Sequence, residues 1–377
     1  MKRIVFIIIV LLLVFGCATA PTEKKPEHEV VFYPPIPEKP MLQFLISIND
    51  EKEIDKKSTF SFDDFLSGKT ETLKSIGRVW DIGSSKGKIY VLDRDLLKVV
   101  IIDLVEKKFD LVRDERLGKL SDPSGIWITE DDVKYVTDIK RKQVVVFGKN
   151  NEFIRTYGDK HLFDKPLDVA VFGNFVYVID MAKNQLFVLD KDTGKHVKTI
   201  GEGGVKEGLF YKPTHVVVDH KGNIFVTDAF NFRFQKFDPD GKFLKSYGSL
   251  GDGLGKFARP KGIDVDRSGH LYMVDAAFSN VQIFDEENAQ LLLFFGGAGI
   301  NPGNMDLPAG VHIDYDNVDY FKQYSDKDFQ LKYLVYVGNQ LGPKGFNVYG
   351  FGEWIGPPLS DEQNTGDDQV SDQKTSE

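Results

Sequence analysis

Residues 213–247 read PTHVVVDHKGNIFVTDAFNFRFQKFDPDGKFLKSY. Four short segments rich in β-branched and aromatic residues are separated by polar turns, and Gly222 and Gly241 stand in those turns where a positive φ is favoured. The third segment, FRFQKFD, alternates apolar and polar residues with period two, as a half-buried strand does. The stretch therefore predicts an antiparallel sheet of four short strands.

The same pattern recurs along the chain. A segment that reads aromatic–apolar–x–Asp occurs five times, ending at Asp93, Asp138, Asp180, Asp228 and Asp275, and a weaker sixth copy ends at Asn339. Five copies open with a proline, and successive prolines are 43 to 48 residues apart, at Pro123, Pro166, Pro213, Pro260 and Pro308. A repeat of this length with four strands is typical of a β-propeller blade.

Strand counting predicts how the ring closes. The first five copies supply four strands each, but the sixth supplies three and ends with Gly345–Phe351. Met41–Ile48 precedes the first copy and belongs to no blade, so we predict that it pairs with Gly345–Phe351 and covers an open sheet edge. The expected fold is all-β, a six-bladed propeller over residues 41–355 whose last blade is completed by the N-terminal strand.

Two copies resemble a known repeat family. GNIFVTD at residues 222–228 and GHLYMVD at residues 269–275, each preceded by its proline and followed by a second Asp, are similar to NHL repeats. NHL domains are six-bladed β-propellers, and the resemblance extends over about residues 41–352. It implies the fold and says little about function, because this architecture hosts binding modules and enzymes alike.

The first 17 residues have the features of an export signal. Lys2 and Arg3 precede an apolar run at residues 4–15, which is too short to span a bilayer and fits a secretory signal. The run ends in Gly16-Cys17, which resembles a bacterial lipobox. That resemblance implies lipidation at Cys17 and a protein anchored in the cell envelope, by analogy at the outer membrane. The alternative is an ordinary signal in which Cys17 is incidental.

Composition separates the flanking segments from the body. Residues 18–40 are rich in proline and charge and are predicted to be a flexible tether, and residues 356–377 are predicted to be a disordered acidic tail. With 48 Lys+Arg against 57 Asp+Glu the chain has a net charge of −9, which argues against a nucleic-acid partner. A single cysteine excludes intramolecular disulfides.

Polar residues on the predicted innermost strands are the candidate ligand-binding set of the channel. Aligning those strands by their prolines places Asp168 and His215 at one level, and Asp264 and His312, with Asp81 aligned less surely, at another. The favoured interpretation is a structural network in the pore, and a Zn or Ca site is the less favoured one. The repeated Asp residues are predicted to hydrogen-bond the backbone of the following turn.

Two groups of aromatic residues are candidates for partner contact. Phe230, Phe232 and Phe278 fall in predicted turns, where they either form an exposed patch or cover the edge of a blade. Tyr320, Phe321 and Tyr324 fall in an insert at residues 315–332, within a predicted short helix at Val318–Tyr324. For this insert, packing against the ring is the favoured alternative to partner binding.

The sequence favours a non-catalytic function. No G-x-S-x-G, P-loop, HExxH or dinucleotide fingerprint is present, and we assign no catalytic residue, cofactor or metal ligand. The expected protein is a membrane-anchored envelope lipoprotein that presents propeller loops to a protein, peptide or glycan. The alternative, suggested by related six-bladed propellers, is a metal-dependent lyase or lactonase with its site in the channel.

Overall fold

The computed structural model describes residues 30–55, 75–113, 115–343 and 345–359. In these ranges the chain forms six antiparallel sheets whose inner strands contact one another around a central channel. The prediction of an all-β, six-bladed propeller is confirmed. Residues 1–17, including Cys17, most of the predicted tether and most of the predicted acidic tail lie outside the described residues.

Five blades consist of four consecutive strands each, which follow one another from the channel outward. Blade 1 comprises Val79–Ser85, Lys88–Asp93, Lys98–Asp103 and Lys108–Leu111. Blade 2 comprises Pro123–Ile128, Lys134–Asp138, Gln143–Phe147 and Phe153–Tyr157. Blade 3 comprises Pro166–Phe172, Phe175–Asp180, Gln185–Asp190 and His196–Ile200. Blade 4 comprises Pro213–Val218, Ile224–Asp228, Arg233–Phe237 and Phe243–Tyr247. Blade 5 comprises Pro260–Val265, His270–Asp275, Asn280–Asp285 and Leu291–Gly296.

Blade 6 is built from both ends of the propeller. Pro308–Asp314, Phe329–Asn339 and Phe346–Trp354 are followed in the sheet by Leu42–Ile48, with Leu42 opposite Phe351 and Ile48 opposite Phe346. The predicted closure of the ring is thus confirmed.

A fifth strand, Val31–Tyr33, extends blade 6 beyond the predicted body. It pairs with Leu42–Phe44, so this part of the predicted 18–40 tether belongs to the sheet. The physical reason is burial: the Phe32 ring lies 5.5 Å from the Phe329 ring and 5.7 Å from the Trp354 ring. The segment therefore gains apolar burial that its proline-rich surroundings do not suggest.

Six apolar clusters among the described residues fill the spaces between neighbouring blades. The cluster between blades 1 and 2, for example, contains Tyr90 and Ile101 from one sheet and Val136 and Phe147 from the other. Because each sheet buries both faces in this way, the ring depends on contacts around its whole circumference.

The repeated Asp residues accept hydrogen bonds from the adjacent loops, as predicted. Asp180 accepts hydrogen bonds from the backbone N–H groups of Ala182 and Lys183 in the following turn. It also accepts from Asp164 and Lys165 in the loop that leads into the same blade. Asp93, Asp138 and Asp275 bond to both loops in the same way. Asp228 accepts from the N–H of Tyr211 and from the side chains of Asn231 in the following turn and Arg233 at the start of the next strand.

The insert in blade 6 packs against the body. An α-helical turn at Val318–Phe321 continues as a 3₁₀ turn at Lys322–Tyr324, in agreement with the predicted helix. Phe321 is fully buried, and the Tyr320 and Tyr324 hydroxyls donate to the carbonyls of Ile54 and Glu53, beside a 3₁₀ turn at Glu51–Glu53. Within the described residues, no helix combines the length and apolar character needed to span a bilayer.

Candidate functional site: a channel with two different ends

The channel has two openings that differ in chemistry. Inner strands of blades 2 to 6 begin at their prolines, so one opening, termed the proline face, is surrounded by Pro123, Pro166, Pro213, Pro260 and Pro308. The opposite opening is termed the distal face. A cavity of about 540 Å³ lies on the proline face and one of about 210 Å³ on the distal face.

Three aspartates on alternate blades fasten the inner strands in pairs. The carboxylate of Asp81 accepts from the N–H of Ile82, at 2.9 Å, and from that of Ile126 on blade 2, at 2.8 Å. Asp168 accepts in the same way from Val169 and from Val216 on blade 4, at 2.8 and 2.9 Å.

The third aspartate repeats this geometry. Asp264 accepts from Val265 and from Ile313 on blade 6, both at 2.8 Å. We refer to these three arrangements as the aspartate clasps. They link blades 1 and 2, 3 and 4, and 5 and 6, so the channel carboxylates have a structural function.

Strand register corrects the predicted levels of these residues. Asp81 lies opposite Leu92 and Asp168 opposite Ile179, each next to the repeated Asp of its blade, whereas Asp264 lies opposite Tyr272. Asp81 is therefore level with Asp168 and not with Asp264. The alignment erred because blade 1 lacks the opening proline from which the other strands were counted.

Burial makes two of the carboxyls weak acids. It raises the pKa of Asp81 to about 7 against the opposing effect of the backbone hydrogen bonds. It also raises the pKa of Asp168 well above its usual range, and the charge of Asp81 adds to the effect. The two groups therefore disfavour each other's ionised form.

His215 is held neutral. Its Nδ1 lies 3.1 Å from Oγ1 of Thr214. Burial, together with the charge of Lys261, lowers its pKa to about 3. It therefore contributes no positive charge to the channel at neutral pH.

His312 has the opposite character. Its Nδ1 lies 3.3 Å from Oδ2 of Asp264, and its Nε2 lies 2.9 Å from Oγ of Ser84 on blade 1. Burial lowers the pKa of His312, but the hydrogen bond and charge of Asp264 outweigh burial, so the pKa lies above its ordinary value. The sequence analysis did not identify Ser84 as part of this group.

The cavity on the proline face, termed the proline-face pocket, combines cations with apolar walls. Its residues come from blades 1 to 5 and are Trp80, Arg94, Asp122, Ile139, Lys165, Leu167, Met181, Thr214, Ala229, Phe230, Phe232, Ala258, Arg259, Pro260 and Lys261. Four of them are basic and one is acidic, and that acid, Asp122, pairs with Arg94 at 2.7 Å. The pocket is thus electropositive inside a chain whose overall charge is −9.

Lys261 is the central cation of this pocket. Its ammonium lies 4.6 Å from the centre of the Trp80 ring, and the Arg94 guanidinium lies 4.8 Å from the same ring. Burial, with the charges of Arg259 and Arg94, lowers the pKa of Lys261 to about 8. An anion placed beside Lys261 would relieve this repulsion.

Of the predicted contact aromatics, Phe230 and Phe232 line the pocket. Phe230 is 57% exposed and packs edge-on against Tyr211, and Phe232 has a left-handed backbone with φ 56°. Phe278 is half-buried. In the insert, Phe321 is fully buried, whereas Tyr320 and Tyr324 are half-buried and their hydroxyls are bonded to the body.

Most of the potential metal-ligating atoms of the channel already have hydrogen-bond partners. The two oxygens of each clasp carboxylate already accept backbone hydrogen bonds, and both ring nitrogens of His312 have partners. Among the described residues, no group of three His, Cys, Asp or Glu side chains is placed to hold a metal.

Comparison with known proteins supports the fold class, a six-bladed β-propeller. A family model, DUF5128, described as a 6-bladed beta-propeller, matches residues 156–234. A protein of unknown function from Bacteroides thetaiotaomicron has a similar structure, with a TM-score of 0.55 and 19% identity over 74% of this chain and 70% of that one. The gluconolactonase XC5397 from Xanthomonas campestris has a TM-score of 0.51 and 14% identity over 73% and 87% of the two chains.

A curated relative is similar over part of the chain. It is a probable peptidyl-alpha-hydroxyglycine alpha-amidating lyase, pgal-1, from Caenorhabditis elegans, 31% identical over 139 residues. The match spans 36% of this chain and 39% of the relative. The similarity therefore concerns well under half of either protein.

Proposed function

We propose that this protein is an envelope-anchored binding module that holds peptides by their C-terminal carboxylate in the proline-face pocket. The observation that carries the proposal is the unmatched positive charge around Lys261 in a pocket with apolar walls. Anchoring through lipid on Cys17 is part of the proposal and rests on the sequence pattern at residues 1–17.

Charge supports an anionic ligand. Arg94 is balanced by Asp122, but for Lys261 no ion pair with a described residue is present, and Trp80 is its neighbour. A desolvated ammonium that lacks a counterion costs free energy until an anion binds. A carboxylate at this point would form a charge-assisted hydrogen bond worth about 1.5–3 kcal/mol.

Shape and apolar surface support a peptide. A cavity of about 540 Å³ lies within the usual size range of ligand pockets. Leu167, Met181, Ile139 and Phe230 offer contacts for one or two apolar side chains next to the cations. Peptides with apolar C-terminal residues combine both features.

The amidating lyase relative is consistent with this ligand class. A peptidyl-α-hydroxyglycine, the substrate in that protein's name, is itself a peptide that ends in a carboxylate. The relationship also supports the second candidate, a metal-dependent lyase or lactonase, although most of the ligating atoms of the channel already have hydrogen-bond partners. Stoichiometric Zn or Ca in the purified protein, lost in His215→Ala or His312→Ala, would favour that candidate.

Peptide titration tests the binding proposal. We expect N-acetyl-Leu-Phe-Leu with a free carboxylate to bind at least about 10-fold more tightly than its C-terminal amide in calorimetry. Lys261→Met should abolish most of this difference. Lys198→Met is the matched control, because Lys198 lies on an outer strand and donates to the Pro239 carbonyl.

The same titration has a pH signature. Because the pKa of Lys261 is about 8, affinity for the acid should fall between pH 7 and pH 9 as the ammonium loses its proton. Equal affinity for acid and amide in the wild type would refute the proposal. The anchor is tested separately: Cys17→Ser should move the protein from the membrane fraction to the soluble fraction.

A further inference from the structure

Three polar residues near the distal face form a line of contacts. Oγ of Ser84 on blade 1 lies 2.9 Å from Nε2 of His312 on blade 6, and Nδ1 of His312 lies 3.3 Å from Oδ2 of Asp264 on blade 5. A hydroxyl, an imidazole and a carboxylate in this order are the arrangement by which hydrolases activate a serine. Three separate blades must therefore meet to create it.

The carboxylate of this line is rigidly placed. The N–H groups of Val265 and Ile313 hold Asp264 at 2.8 Å each. A fixed carboxylate favours the histidine tautomer that carries its proton on Nδ1, which leaves Nε2 to accept the proton of Ser84. The backbone thus prepares His312 to act as a general base.

The contact between a histidine and a serine is not a general part of a clasp. The sister clasp at Asp168 joins blades 3 and 4 with the same pair of hydrogen bonds, yet His215 beside it contacts Thr214. A clasp is therefore complete without a histidine bonded to a serine. The role of the contact between His312 and Ser84 must lie elsewhere.

Two members of this line border a cavity, and so does Gly83, the residue next to Ser84. The distal-face cavity of about 210 Å³ is bounded by His312 and Asp264, and 28% of the His312 side chain is exposed. Ile128, Val217 and Trp127 supply apolar walls. A volume of about 210 Å³ lies below the usual size range of ligand pockets, which suits a short acyl group.

We propose that Ser84, His312 and Asp264 form a hydrolytic site for short-chain carboxylic esters. This site is separate from the proline-face pocket, and the proposal does not depend on peptide binding. Ser84 is its nucleophile, His312 its general base and acid, and Asp264 the group that orients and stabilises the imidazole.

The reaction balances with water as the second substrate. Oγ of Ser84 bonds to the ester carbonyl carbon while its proton moves to Nε2 of His312, and the ester C–O bond breaks as the alcohol takes that proton. Water then attacks the acyl–serine carbonyl and gives a proton to Nε2. The carboxylic acid leaves, and that proton returns to Oγ of Ser84.

Covalent labelling is the decisive experiment. The full chain is treated with a fluorophosphonate probe, and the modified residue is located by peptide mass spectrometry. We expect modification at Ser84, lost in Ser84→Ala and reduced at least about 100-fold in rate in His312→Ala. Ser85→Ala is the matched control, because Ser85 is the next residue and bonds to Asp132 at 3.1 Å.

Hydrolysis of p-nitrophenyl acetate gives the second readout. Ser84→Ala and His312→Ala should lose at least about 100-fold in kcat/KM, while Ser85→Ala and His196→Ala, which changes an outer-strand histidine, stay within about twofold. Thermal melting of each variant separates lost chemistry from lost folding. An unmodified Ser84 in the wild type, or full hydrolysis by a folded Ser84→Ala, would overturn the proposal.

Discussion

His215 and His312 occupy the same position relative to an aspartate clasp and have opposite properties. Each directly precedes the residue whose N–H is held by an aspartate clasp, Val216 in one case and Ile313 in the other. Yet the pKa of His215 is lowered to about 3, whereas the pKa of His312 is raised. The presence of an aspartate clasp therefore does not determine the charge of the histidine beside it.

The neighbours of each ring explain the difference. His215 is buried with Lys261 as its charged neighbour, so both influences oppose protonation. His312 is bonded to Asp264 and also feels the charges of Asp314 and Asp81. The channel thus changes from positive near the proline face to negative near the distal face.

Removing the clasps should have the largest effect on stability. Asp168→Ala and Asp264→Ala each leave buried N–H groups without a partner, and we expect each to lower the free energy of unfolding by about 2–4 kcal/mol. Asp264→Ala should cost more, since it also strips His312 of its partner, whereas burial and Asp81 already disfavour the Asp168 carboxylate.

Urea unfolding at pH 7 measures both changes, with Asp252→Ala at an exposed position as the control. A loss at Asp168 equal to or larger than the loss at Asp264 would contradict the distinction between the two clasps.

The two histidines should affect stability with opposite dependence on pH. The stability that neutral His215 contributes is present above about pH 6.5 and is lost as pH falls towards 3, because the unfolded chain takes up the proton first. Between pH 7 and pH 5 the wild type should therefore lose about 1–2 kcal/mol relative to His215→Ala.

The contribution of His312 to stability should depend on pH in the opposite direction. Its pKa is raised in the folded state, so its contribution is present below about pH 6.5 and is lost as pH rises through the folded-state pKa. Unfolding of wild type, His215→Ala and His312→Ala across pH 5–8 is the measurement. Parallel curves for the two variants would show that the histidines do not differ in the way described.

Of the substitutions considered, Lys261→Met should have the smallest effect on the free energy of unfolding. Lys261→Met removes a charge that opposes protonation of His215, so the pKa of His215, followed by NMR, should rise by a fraction of a unit. The free energy of unfolding at pH 7 should increase by about 1 kcal/mol, because a buried ammonium with a lowered pKa costs stability below about pH 8. A less stable variant would show that the ammonium already has a stabilising partner.

Most of the fold was readable because blades repeat. The spacing between Pro123, Pro166, Pro213 and Pro260 gave the length of the repeat that forms one blade. The missing strand of the sixth copy predicted the pairing of Leu42–Ile48 with Phe346–Trp354. Val31–Tyr33 was missed because three apolar residues beside prolines carry no strand period. Their burial depends on Phe329 and Trp354, about 300 residues away in sequence.

The sites were only partly readable. Proline alignment put Asp168, His215, Asp264 and His312 on inner strands, which is where they lie. It could not give side-chain partners, and Ser84 belongs to the blade without the proline. Lys261 did leave a signal, since the residues after the five prolines are Ser124, Leu167, Thr214, Lys261 and Ala309, and one of them is charged.

The composite blade has a consequence for biosynthesis. Ser47 meets Asn347 across 300 residues of chain, so the propeller cannot close before Phe346–Trp354 has been synthesised. Until then, Leu42–Ile48 lacks its partner, and contacts of such long range form slowly. Closure of the ring therefore waits for Phe346–Trp354, and the growing chain stays in an open state until that strand has been made.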